Sequence, residues 1–237
     1  MNANFAYAYL MKQTQAVSAT PLEAFGIVAL CFGWFIADSL AAFSMAADSI
    51  GVNSGSVSGF SDDSFMWTII IELALGALAL LVLNMRGYSL AKLWPVPDWK
   101  GCVAGGVLYL IATVGSGFIA AAFATGQPAQ PIAQIMAESS PSLAYIIAVA
   151  MVNGLYEELF LLGYLQQGFT LSNPSFAVGI SVLVRLSYHL YQGPVGVLSV
   201  AVYGLIVGIF YFRTGRLWPA VFAHILADIV PFVFNGH

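Results

Sequence analysis

The chain has 237 residues, 60% of them hydrophobic and only 8% charged, with 7 Lys+Arg against 11 Asp+Glu. A soluble domain carries about 25% charged residues, so this sequence has too little charge to clothe a water-facing surface. Its hydrophobicity excludes disorder, and a net charge of -4 supplies no basic face for nucleic acid. The lipid bilayer is the expected solvent, and no nucleic-acid partner is expected.

A bilayer core of about 30 Å needs roughly 20 apolar residues per helix. Seven stretches meet that need within the tolerance of tilt: 22–44, 65–85, 101–125, 142–170, 176–191, 195–213 and 216–234. The first is too long and too far from Met1 for a signal-peptide core, so it is expected to persist as a membrane helix. The fourth is longer than a span requires. It is expected to break, or to leave the membrane as an amphipathic tail, giving an eighth short element. Cys31 and Cys102 both sit in apolar runs without a nearby second cysteine and read as buried packing residues. The predicted fold is all-α: a polytopic transmembrane helical bundle of about 7–8 membrane helices, forming one integral membrane domain over 1–237.

Basic residues orient such a bundle. With the N-terminus cytoplasmic, Lys12, the connection holding Arg86, Lys92 and Lys100, and the one holding Arg213 and Arg216 all face the cytoplasm. The first outer connection holds Asp48, Asp62 and Asp63 instead. Arg185 falls inside a span and needs a separate reason.

Ionisable groups within a span cost about 2.5 to 3.5 kcal/mol each on insertion scales, so they are functional candidates. They are Asp38, Glu72, Glu157, Glu158, Arg185, His189, His224 and Asp228. Asp38 and Glu72 lie within about two turns of the outer ends of their helices, where snorkelling or a wet vestibule is the cheaper account, and are read as structural. At about 1.5 Å of rise per residue, Glu157, His189 and Asp228 reach similar depths, with His224 one turn from Asp228. Arg185 and His189, like His224 and Asp228, are spaced i, i+4 and are expected to share a helix face. The adjacent Glu157 and Glu158 point about 100° apart, so one is expected to face the histidines while the other meets a cation.

Three segments in order carry a resemblance: Glu157-Glu158-Leu-Phe-Leu-Leu-Gly-Tyr, then Tyr188-His189-Leu-Tyr-Gln-Gly, then Arg216-Leu-Trp-Pro-Ala-Val-Phe-Ala-His224-Ile-Leu-Ala-Asp228. This order resembles the CAAX protease and bacteriocin-processing (CPBP, or Abi) family of intramembrane glutamic-type endopeptidases, whose pattern is EExxxR, FxxxH and HxxxN/D. The motif-bearing core is 141–231. Two positions depart from the pattern. Leu162 stands where the family has arginine, and Arg185 where it has phenylalanine. A Glu158–Arg185 pair between helices would restore the missing charge.

The resemblance implies a CAAX-protease-like bundle in which Glu157 is the general base activating water for peptide hydrolysis. His189 and His224 would orient that water or stabilise the oxyanion, and Asp228 would position His224 or complete the polar pocket. Glu158 and Arg185 are supporting residues. A buried carboxylate suits general-base work, and fixed donors suit a developing oxyanion. Two histidines with carboxylates also form a set compatible with zinc or another divalent metal, but there is no HExxH. The resemblance favours a metal-free glutamate mechanism, so no cofactor is expected. The expected partners are the lipid bilayer and a membrane-associated peptide or protein substrate, and the expected location is a bacterial plasma membrane. Two other readings stay open: a proton-coupled transporter, and a non-catalytic membrane binding protein that keeps the fold. Gly179-Ile-Ser181 hints at a serine protease, but Ser181 lies eight residues from His189, about 12 Å along a helix and beyond hydrogen-bond reach.

Overall fold

The structure is a computed structural model that describes residues 20–48, 59–123, 130–170 and 173–235. Lys12 and most of the first outer connection lie outside the described residues. Eight helices follow in order: α1 (Pro21–Asp48), α2 (Asp62–Met85), α3 (Trp99–Phe123), α4 (Pro131–Ala137), α5 (Leu143–Thr170), α6 (Pro174–Ser187), α7 (Pro194–Thr214) and α8 (Trp218–Asn235). There is no strand among the described residues.

Local chemistry sets many of the boundaries. Ser61 and Ser64 form a reciprocal capping box at the start of α2, and Asn173 accepts from the Phe176 N–H at the start of α6. Proline opens α4, α6 and α7, where its missing N–H is an orphan in any case. Gly215, with φ at +65°, closes α7 by donating its N–H to the Tyr211 carbonyl.

Five helices, α1, α2, α3, α5 and α7, are long and apolar enough to cross a membrane, while α6 and α8 are apolar but shorter. The chain is an integral membrane protein, and its outer faces agree: Val103, Val107, Leu110, Val114 and Phe118 project from α3 unburied. In water such a surface would drive association; in hydrocarbon it is the ordinary exterior.

Two expected spans differ from those observed. The stretch 142–170 neither breaks nor emerges as a tail. It continues as one helix with a π-helical interior from Leu159 to Gln166, every residue of which is buried. The reason is position: α5 packs on α2, α6 and α8 and 67% of its apolar window is buried, with the whole of its second half from Tyr156 to Gln166 enclosed, so that half cannot leave as an amphipathic tail. The eighth short element is α4, which precedes it. The stretch expected to be helical to 191 ends at Ser187. Tyr188 and His189 have ψ near 0°, and Gly193 at φ +84° followed by Pro194 redirects the chain into α7 after a 3₁₀ turn at Leu190–Gln192.

α1 and α7 also touch α5, and α3 bridges α7 and α8. Gly105 lets α3 and α8 meet: a Cβ there would lie 2.6 Å from the Pro219 carbonyl oxygen. At one end of the bundle Arg86 pairs with Glu23 at 2.9 Å and Arg216 with Asp98 at 2.7 Å. The Gly101 backbone N–H and Arg216 hold the exposed Asp98 carboxyl below its ordinary value. At the other end Asp62 accepts from the Ser142 N–H at 2.6 Å, tying α2 to the start of α5.

Candidate active site

A cavity of about 820 Å³ opens inside the bundle. It reaches from mid-helix positions towards the end that carries Ser64 and Phe60, and its rim includes Asp38, Ser39 and α4 residues Ile132 and Met136. Glu157, Arg185, His189, His224 and Asp228 all line it.

Arg185 organises the cluster. Its Nη1 donates to Glu157 Oε2 at 3.0 Å and its Nη2 to Glu158 Oε1 at 2.8 Å, all three side chains being buried. The Glu158–Arg185 pair therefore forms, but the division of labour expected between the two glutamates does not hold. One planar fork spans both carboxylates, and His224 faces both as well, with Nδ1 at 2.7 Å from Glu158 Oε1 and Nε2 at 3.8 Å from Glu157 Oε2. The 100° divergence of adjacent side chains is bridged because guanidinium and imidazole each present two nitrogens. The Tyr203 ring lies 5.4 Å from the Arg185 guanidinium and edge-on to His224, closing the cluster from α7.

Glu157 has three donors: Arg185, the Tyr188 hydroxyl at 2.5 Å and Asn153 Nδ2 at 3.1 Å. These offset the cost of burying a carboxylate. His189 does not share a helix face with Arg185, because α6 has ended before it. Its Nδ1 instead lies 2.8 Å from the Arg185 carbonyl oxygen. A carbonyl only accepts, so Nδ1 carries the proton, and in the neutral ring Nε2 keeps a lone pair. His224 Nε2 stands 3.7 Å from Asp228 Oδ1 on the next turn of α8. Gly154 brings α8 close to α5: a Cβ there would sit 3.1 Å from Ile225 Cγ1 and 3.3 Å from the Ile225 backbone nitrogen.

Residues 139–230 match the family model described as type II CAAX prenyl endopeptidase Rce1-like. They carry a CAAX-protease-like core. No curated protein and no solved structure matches the chain. The matched family is one of peptide hydrolases, and the CAAX-protease-like core contains each of the polar positions in question. Where the family pattern has arginine, Leu162 is buried in the π-helical stretch against Val207, Leu217 and Val221. The cation reaches Glu158 from α6 instead.

Glu72, read from sequence as a structural residue that either snorkels or faces a wet vestibule, is only 2% exposed and lines the same cavity. Asn153 Nδ2 donates to its Oε1 at 2.7 Å and also reaches Glu157, so one amide joins the two carboxylates. Asn153 lies one turn before Glu157 on α5. That spacing was a usable signal, but the partner on α2 was visible only after packing. Asp38, by contrast, is exposed, and it lines the same cavity. Ser181 is committed elsewhere, its hydroxyl donating towards Gln166 Oε1 and the Val178 carbonyl. Among the described residues no three His, Cys, Asp or Glu side chains are arranged to hold a metal ion.

Proposed function

We propose that this protein is an intramembrane endopeptidase that hydrolyses a peptide bond of a membrane-associated peptide or protein. The observation that carries the reading is that a donor-held carboxylate, Glu157, lines one cavity together with His189, His224 and Asp228. In this scheme Glu157 takes a proton from water as the water oxygen attacks the substrate carbonyl carbon. His189 Nε2 orients that water through its lone pair. His224, with carboxylates beside both ring nitrogens, donates from Nε2 to the oxyanion, and Asp228 fixes its ring. The proton taken by Glu157 passes to the leaving amine, so one water is consumed per bond cut. Glu158 and Arg185 are positioning residues: Arg185 sets the Glu157 carboxylate, and Glu158 sets His224 and Arg185. No cofactor enters the scheme.

The basic residues support an orientation with the α1 start, the α2 end and the α3 start in the cytoplasm. The cavity mouth then faces the opposite side.

The deciding experiment is Glu157→Gln in the purified full-length protein, assayed by mass spectrometry against a randomised membrane-anchored peptide library, with and without a chelator. Removing the general base should lower cleavage by about 10²–10⁴-fold in a protein that stays folded, as an unchanged helical circular-dichroism spectrum at the assay temperature would show. Cleavage that survives in Glu157→Gln rejects the assignment, and cleavage abolished by chelator alone replaces the metal-free scheme.

A further inference from the structure

Among the described side chains, Glu72 Oε2 and Glu158 Oε2 are the buried oxygens without a hydrogen-bond partner. Their surroundings differ. Glu158 is withdrawn from the cavity and carries Arg185 and His224 on its other oxygen, whereas Glu72 lines the cavity wall and has only the neutral Asn153 amide. A buried carboxylate oxygen with no donor is costly, and a native site that keeps one calls for a reason.

The cavity supplies that reason through its charge. Four acidic residues line it, Asp38, Glu72, Glu157 and Asp228; among the described residues the basic side chains facing them are Arg185, committed to the two adjacent glutamates on α5, and His189 and His224, of which His224 faces Glu157 and Asp228, so Glu72 is left without a cation of its own. Ser64, Thr68 and Glu72 recur every fourth residue along α2 and all line the cavity, so a polar track about 12 Å long descends from the mouth to Glu72. At its foot Glu72 shares the Asn153 amide with Glu157, within one hydrogen-bonded residue of the group that activates water.

We infer that Glu72 is a specificity subsite that receives a lysine or arginine side chain of the polypeptide substrate, close to the bond that is cut. The basic head displaces the thin cover over the buried Oε2 and supplies the charge-assisted hydrogen bond that oxygen lacks, while its aliphatic stem lies along the apolar part of the cavity wall. This rests on the endopeptidase reading for its physiological meaning, but it is tested by binding alone.

The probes are fluorescein-labelled nonapeptides of neutral apolar sequence that differ only in carrying lysine, arginine or norleucine at the centre. Binding to the full-length protein in detergent micelles is read by fluorescence anisotropy. The basic peptides should bind at least about tenfold more tightly than the norleucine peptide. That preference should persist in 0.5 M salt, because Glu72 is buried, and in Asp38→Asn, because the rim carboxylate is exposed and screened. Glu72→Gln should remove it, so that the basic and norleucine peptides bind alike, and Glu72→Asp should retain part of it. Equal binding of the peptides, no binding of any, or a preference that survives Glu72→Gln overturns the subsite. Preferential binding of basic peptides with no cleavage of any peptide would instead overturn the endopeptidase reading and leave the subsite standing.

Discussion

The Glu158–Arg185 contact gives a quantitative test of how this core holds its buried glutamates with Leu162 where the matched family's pattern has arginine. Arg185→Leu removes two charge-assisted hydrogen bonds, at 2.8 and 3.0 Å, from a side chain only 2% exposed. Hydrogen bonds to charged groups contribute about 1.5–3 kcal/mol each. Breaking a buried pair from one side costs about 3–5 kcal/mol, because the surviving charge is stranded. Here two carboxylates are stranded, so Arg185→Leu should sit at the upper end of that range. Glu158→Leu should cost less, about 1–3 kcal/mol, since Arg185 keeps Glu157 and the Tyr203 ring. The double variant leaves no stranded Glu158, so its loss should fall short of the sum of the singles by at least about 1.5 kcal/mol. Equilibrium unfolding in mixed micelles, followed by circular dichroism, supplies all four corners of the cycle. Additivity within about 0.5 kcal/mol would refute the argument, as would an Arg185→Leu loss below about 1 kcal/mol.

Two further outcomes follow from the packing and the charge distribution. Gly105→Ala places a methyl group 2.6 Å from the Pro219 carbonyl oxygen and should push α3 from α8 at a cost of about 1–3 kcal/mol, seen as a lower unfolding midpoint; no change would mean the helices do not meet there. Ser64→Cys at the cavity mouth should react with an impermeant maleimide added outside intact cells, whereas Thr214→Cys at the basic end should react only after permeabilisation, and the reverse pattern would invert the orientation.

Much of the bundle was legible because its signals are local. The length of an apolar run is set by bilayer thickness, and several helix starts are set by proline. The i, i+4 spacing of His224 and Asp228 needs nothing beyond helical geometry, and the order of the three motifs was enough to point to a CAAX-protease-like core before any fold was known.

Tertiary packing decided the rest. The π-helical interior of α5 has no sequence mark, and it exists where a helix is enclosed on all sides. His189 left its expected helix face because Gly193 and Pro194 turn the chain into α7, which recast the histidine as a ligand of the Arg185 carbonyl. Glu72 is the clearest case. Depth along a helix suggested a residue near the surface, but α2 lies close against α5, where Gly76 admits the Tyr156 ring, and that contact carries Glu72 inward to Asn153. A sequence fixes how far along a helix a charge lies; only the neighbouring helix decides whether that charge meets lipid, water or another carboxylate.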